Sequence, residues 1–331
     1  MFVLISITNI KNCMANLKIY DCSLNSFSPE HRINSLGSKE NDIMADLRKH
    51  QLDLSIDFVS DYKNADRIIT NTTYTPYILK FAKENNIPLI KRMDGVFWRE
   101  DLVERNVKLN EAAIQSNAVI FISKFSQDSF EVLYPNSKLK NTFIVLNNVD
   151  ETIFHNKFHK KNIKFTWGTS ATNWCREVKR PKDLLKFADF VGEHNERILL
   201  IGKSNIQHEN IINAGYHHNY NKISNLINCA DAWVNFSYRD AAPKTVLQAI
   251  KCNKPVLYAN SGGLPELVQN FGIAIKDEGK IYFSDNNFEL DFEEIQKSYY
   301  EFKNKFETFQ FPFIKKYIET LKEYVNIIKN Q

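Results

Sequence analysis

The chain has 331 residues, of which 43% are hydrophobic and 25% charged, with a formal net charge of +4. That length exceeds what one hydrophobic core usually holds, so a soluble globular protein of two domains is expected. The charge balance is too weak for a dedicated nucleic-acid binder and fits mild attraction to phosphorylated ligands or an anionic surface.

Taken from the amino end, Phe2–Ile10 is apolar but too short to cross a membrane, and no basic residue leads it as in a signal peptide. Met14 opens a strand-like run, so residues 1–13 read as an upstream start or a loose extension. Short β-branched runs follow at Leu17–Cys22, Leu54–Val59, Arg67–Thr70, Pro88–Arg92, Ala118–Ser123 and Thr142–Leu146. Helical patterns over Ser38–His50, Thr75–Glu84 and Glu100–Gln115 separate some of them. The polar stretch Asn147–Asn162 then interrupts the alternation and marks a domain boundary near residue 150. A second series of strands is predicted at Lys164–Gly168, Arg197–Gly202, Ala232–Phe236, Pro255–Ala259 and Gly272–Ile275. Helices over Lys182–Val191, Tyr220–Cys229 and Lys244–Cys252 lie among these. The remainder is helical, and Phe313, Ile314, Tyr317, Ile318, Leu321, Tyr324, Val325 and Ile328 form one apolar stripe at three- and four-residue spacing. Strand–helix alternation of this kind predicts an α/β protein with two doubly wound parallel sheets.

In open parallel sheets, ligands sit at the carboxyl ends of the strands, so the loops there are the places to search. "TSATNWCREVKRPKDLL" groups Arg176, Lys179 and Arg180 at the entrance to a helix. Cations oppose the dipole at that end unless an anion is present, and forked Arg beside Lys suits a diphosphate. The plain alternative is a solvated basic turn. In "SYRDAAPKTVLQA", Pro243 fits a helix's first turn, with Lys244 and Thr245 at the free amide end. Asp240 precedes that helix on the loop, and Gln248 lies further along it. Val246, Leu247, Ala249 and Ile250 read as core, so the element packs by one face while its end is free to bind. In "ANSGGLPELV", Gly262 and Gly263 let backbone amides approach a ligand closely, or simply make a tight turn. The five cysteines, Cys13, Cys22, Cys175, Cys229 and Cys252, form no CxxC pair. They predict neither disulfides nor a metal site, and fit a reducing, cytoplasmic setting.

These stretches together resemble the retaining GT-B glycosyltransferases of the large glycosyl transferases group 1 family. "RDAAPKTVLQAIKCNKPVLYANSGGLPELV" resembles that family's signature of Glu, seven residues, Glu, a Pro-Val strand and a Gly-Gly-x-Pro-Glu loop. "NWCREVKRPKDL" is similar to its Arg/Lys diphosphate segment, and "VLNNVDETIF" to its Asn-Gly-Val-Asp…Phe junction, with Asn148 in place of Gly. "KRMDGVFW" and "AVIFISKFSQDSF" resemble its N-terminal half. The likeness spans roughly Pro88 to Val268.

The resemblance implies a GT-B architecture of two Rossmann-like domains facing across a cleft. Residues 1–150 would be the acceptor side, 151–308 the nucleotide-sugar side, and 309–331 a helix returning to the first domain. It implies transfer of a sugar from a nucleotide-sugar, with retention of configuration and without metal or other cofactor. Asp240 takes the place of the acidic residue at the transferred sugar, and Gln248 that of the Glu on the ribose hydroxyls. Arg176 and Lys179 match the diphosphate pair, completed by Lys244, Thr245, Gly262 and Gly263. Gly37 matches a phosphate-side loop glycine, and Asp94 a residue facing the reacting sugar. Tyr74, Tyr77, Phe97 and Trp98 suit an acceptor groove or a core equally. The acceptor stays open among saccharide, lipid-linked and protein classes, and a lipid acceptor would bring peripheral membrane contact. Two alternatives remain: a sugar-nucleotide epimerase of the same fold, and a catalytically impaired nucleotide-sugar-binding protein.

Overall fold

A computed structural model describes residues 16–22, 43–71, 76–97, 103–157, 163–277 and 289–331. Gly37, Tyr74, Trp98 and residues 1–13 lie outside them.

The first sheet contains β1 (Leu17–Asp21), β2 (Ile56–Phe58), β3 (Arg67–Thr70), β4 (Leu89–Met93), β5 (Ala118–Phe121) and β6 (Thr142–Ile144), in the order β2-β1-β3-β4-β5-β6. The second contains β7 (Thr166–Asn173), β8 (Arg197–Lys203), β9 (Ile211–Gly215), β10 (Ala232–Asn235), β11 (Val256–Ala259) and β12 (Gly272–Ile275), in the order β12-β11-β10-β7-β8-β9. Every pairing between them is parallel. Central strands such as β5, buried along its whole length, therefore read as unbroken apolar runs because helices cover both faces.

In the first half the helices are α1 (Ile43–Lys49), α2 (Gln51–Leu54), α3 (Pro76–Glu84), α4 (Val103–Gln115) and α5 (Lys124–Leu133). The second half adds α6 (Pro181–Glu193), α7 (Tyr220–Asn228), α8 (Lys244–Lys251), α9 (Leu264–Val268) and α10 (Phe292–Lys305), followed by α11 (Tyr317–Lys329). Two apolar clusters pack on the second sheet, one joining β7 and β8 to α6 and α10, the other joining β10 and β11 to α8 and α9. On one face of the first sheet, Ile19, Ile56, Ile69, Ile90 and Ile120 pack with Tyr317, Leu321, Tyr324, Val325 and Ile328 of α11. Arg67 Nε also donates to Ile328 O at 3.2 Å.

Several expectations change. Strand β9 has no apolar signature because it is an edge strand whose residues are half-buried or exposed. Strand β7 continues past Gly168 to Asn173, since the small polar residues there still pair with β8, whereas its pairing with β10 ends at Gly168. Helix α5 is capped by Ser123, whose hydroxyl accepts from Ser126 N at 2.9 Å. The terminal stripe starts at Tyr317 rather than Phe313, which is 82% exposed and precedes the helix. Pro243 is the residue before α8 and not within its first turn.

The junction residue Asn148 is not among those with positive φ, so glycine's freedom is not required there. Its side-chain amide instead donates to Lys315 O at 2.8 Å and Thr320 Oγ1 at 3.0 Å, tying the junction to the start of α11.

Candidate active site

The order of the second sheet reverses between β7 and β10, the two strands that diverge from its centre. Their carboxyl ends therefore bound the crevice in which an open α/β sheet receives its ligand. After β7 the chain passes Arg176, makes one tight turn over Glu177–Lys179, and enters α6. After β10 it runs through Ser237 to Asp240 before α8. The two loops meet: Lys179 Nζ lies 2.7 Å from Asp240 Oδ2 and 3.3 Å from Ser237 Oγ. A backbone bond from Tyr238 N to Val178 O, 2.8 Å, fixes them together. The Lys179 and Asp240 side chains are 16% and 28% exposed, so the pair is open to the crevice on one side. Arg176, three residues before Lys179, is exposed.

Arg180 does not join that group. It is 3% exposed, and its guanidinium forks onto Asp277 at 2.8 and 3.1 Å. Asp183 Oδ2 lies 3.8 Å from its Nε, and the Tyr238 ring lies 5.1 Å from it. The positive charge at the start of α6 is thus balanced by the protein's own carboxylates, and the dipole argument for an external anion does not apply to this residue. Burial pushes the Asp183 carboxyl up, against the pull of a bond from Leu290 N and of Arg180.

The paired glycines serve the neighbouring loop. Gly262 has φ +67°, and a Cβ there would lie 2.2 Å from Asp240 O. A Cβ at Gly263 would lie 1.9 Å from Ala241 O, while Gly263 N donates to Asp240 O at 2.9 Å. The space that the missing side chains leave is filled by the backbone bearing Asp240, so these glycines set that loop's position. Gly263→Ala is expected to displace Asp240 and to cost about 1–3 kcal/mol from overpacking. Loss of the Lys179–Asp240 contact in a crystal structure of the variant is the check.

Lys244 and Thr245 stand half-buried at the start of α8, and Gln248 is 3% exposed on the same helix. The amide is therefore largely enclosed by its own domain. Ser261, not singled out in the sequence, accepts from Arg239 N at 2.9 Å and adds a second tie between the Gly-Gly loop and the Asp240 loop. The Arg239 guanidinium is half-buried, and burial lowers its pKa against the opposing pull of Tyr238 and Asp277.

From the first sheet, Asp94 follows β4 and is ion-paired with Arg92. Arg92 is itself 4% exposed and reaches Asn147 Oδ1 at 3.0 Å. Asn147 Nδ2 donates to Ala242 O at 3.0 Å, two residues from Asp240. Glu266, directly after the Gly-Gly-Leu-Pro run, accepts from Lys124 N and Phe125 N, both at 2.7 Å. One carboxylate of the second half thus satisfies two free amides at the start of α5. Sequence reading places Asn147 and Glu266 inside recognisable stretches but gives no sign that they bridge the halves. Among the described residues no helix is long and apolar enough to cross a membrane.

No protein-family model matches the chain, and no curated protein sequence does. Solved structures do match it over nearly its full length. A glycosyltransferase from Rickettsia africae superposes with a TM-score of 0.60 at 12% identity, covering 95% of this chain and 98% of that one. HepE from Anabaena, in complex with UDP, gives 0.59 at 13% identity with 95% of each chain covered. Sucrose-phosphate synthase from Thermosynechococcus elongatus gives 0.55 at 13% identity, covering 91% of this chain and 76% of that one. Two six-stranded parallel sheets with flanking helices, matched along almost the whole chain, give this protein the GT-B fold.

Proposed function

We propose that the protein is a glycosyltransferase that moves a sugar from a nucleotide-sugar to an acceptor, with retention of configuration and without a metal. The observation that carries this reading is the Lys179–Asp240 contact at the reversal of the second sheet. Cleaving a sugar–phosphate bond leaves negative charge on the departing nucleotide and oxocarbenium character on the sugar. Fixed cations at the diphosphate are then the main electrostatic resource. Arg176, exposed, and Lys179, on the crevice, are available for it, with Lys244 and Thr245 at the start of α8. A diphosphate arriving at Lys179 replaces Asp240 as its counter-ion and frees that carboxylate for the sugar's hydroxyls.

The same arrangement speaks against hydrolysis by paired carboxylates, because Asp240 has a lysine partner rather than a second acid across the bond. Cationic stabilisation of the leaving group also does the work a metal would do. Among the described residues no three His, Cys, Asp or Glu side chains come together as a metal site. HepE, which shares the fold, has been crystallised with UDP and with UDP-glucose, so a uridine donor is the first to test.

The test is a thermal-shift screen of UDP-, GDP-, ADP-, dTDP- and CMP-sugars on the parent and on Arg176→Ala. One nucleotide class should stabilise the parent by about 2.7 kcal/mol at a concentration near 100 times Kd. Arg176→Ala should lose most of that shift and turn over about tenfold more slowly, as expected for a lost charge-assisted bond. No shift with any donor would overturn the reading.

A further inference from the structure

The two candidate carboxylates come from opposite halves of the molecule, and the side chains of Arg92 and Asn147 link Asp94 to the Asp240 loop. Asp94 is held by Arg92, Arg92 Nη2 donates to Asn147 Oδ1 at 3.0 Å, and Asn147 Nδ2 donates to Ala242 O at 3.0 Å. The orientation of that amide is dictated from both ends. Its oxygen must face a guanidinium and its nitrogen a carbonyl, and flipping it would place donor on donor and acceptor on acceptor. Asn147 is 9% exposed, so water does not substitute readily for either bond.

Other contacts at the same place have the same sense. A Cβ on Gly95, the residue after Asp94, would lie 3.4 Å from Ala241 Cβ. Gly262 and Gly263 close on the loop from the other side, and Glu266 continues that strand-to-helix turn onto the amides of α5. Residues 240–242 are therefore gripped between the first half and the Gly-Gly loop, and Asn147 gives them a directional polar link to the first half.

We propose that Asn147 is a positioning residue that fixes the Asp240 loop relative to the Arg92–Asp94 pair and so sets the distance between the two carboxylates across the cleft. Its catalytic consequence rests on the function proposed above, whereas its geometric content does not. The cations proposed for the diphosphate, Arg176, Lys179 and Lys244, all belong to the second half. Loss of the link therefore acts on the chemical step more than on donor binding.

Three full-length proteins decide the matter: the parent, Asn147→Ala and Asn147→Asp. The alanine variant removes both bonds. The aspartate variant keeps and strengthens the Arg92 contact but sets a carboxylate against Ala242 O. Amide hydrogen exchange without ligand is measured over residues 237–243 and over α6 as an internal control. Both variants should exchange about tenfold faster at 237–243, with α6 unchanged. If Asn147 merely satisfies Arg92, Asn147→Asp will exchange like the parent, and the proposal fails. With the donor found in the thermal-shift screen, both variants should keep KM within about twofold while kcat falls about tenfold to a hundredfold. Equal changes in KM and kcat, or none, would also overturn it. Should no donor bind the parent, the proposed function fails while the exchange experiment still judges the positioning.

Discussion

Arg180→Ala is expected to destabilise the protein by about 3–5 kcal/mol, while Arg176→Ala, four residues away, changes stability by no more than about 0.5 kcal/mol. The difference follows from where each guanidinium goes. Arg180 forks onto Asp277 and lies close to Asp183, with the three side chains 2%, 6% and 0% exposed. Removing it takes from two enclosed carboxylates the guanidinium that lies against them, which costs more than the pair itself contributes. Asp183 keeps its bond from Leu290 N at 3.0 Å, so the damage falls mainly on Asp277 and on the start of α6. Methionine at the same position restores bulk but not charge and should fare little better. Urea unfolding of the three variants measures this directly. Similar midpoints for Arg176→Ala and Arg180→Ala would mean that the buried pair is not structural.

Lys91→Met is expected to move stability the other way, by about 3 kcal/mol in favour of the variant at pH 7. Lys91 lies in β4, is 0% exposed, and its ammonium has no hydrogen-bond partner among the described residues. Burial pulls its pKa from 10.5 down to about 8, with the Asp94 charge opposing the shift, Cys22 adding to that opposition and Arg92 reinforcing the fall. Below pH 8 both the folded and unfolded chains carry the proton, and the folded one bears the full cost of a buried charge. Between about pH 8 and 10.5 the unfolded chain holds more protons than the folded one, so the parent gains stability as pH rises. Above that window the cost is gone. The advantage of Lys91→Met should therefore be complete at pH 7, shrink through pH 9 and disappear near pH 10.5. A difference that stays constant from pH 7 to 10.5 would show that the amine is not the source.

The alternation of apolar runs and helical patterns was enough to read a doubly wound α/β protein, because buried parallel strands carry their signature locally. Arg67–Thr70 and Gly272–Ile275 have the same bounds in the structure as in the sequence reading. Edge strand β9 was not legible, since an edge needs no continuous apolar run. The site divides in the same manner. That Lys179 and Asp240 sit on loops after strands could be read; that those strands flank the reversal of order could not. Arg176, Lys179 and Arg180 are equivalent as letters. A left-handed backbone at Arg180, φ 52°, sends its side chain to Asp277, 97 positions away, and no local pattern encodes that partner. The glycines were legible as a place of close approach, but what approaches is the protein's own loop. Asn147 was hidden for a similar reason, as both its partners lie far along the chain.

The packing of α11 has a consequence for how the molecule comes into being. Tyr317, Leu321, Tyr324, Val325 and Ile328 complete a cluster whose other members lie on β1 to β5, on α1 and α2, and at Val145. A nascent chain makes every strand of the second sheet before it makes those five residues. The first half thus waits with one face of its sheet only partly covered, by α1 and α2, while the later half can already collapse, reversing the usual order in which earlier domains finish first. Until α11 docks, the isoleucines of β1 to β5 are only partly covered, and the remaining apolar surface is open to wrong partners during synthesis.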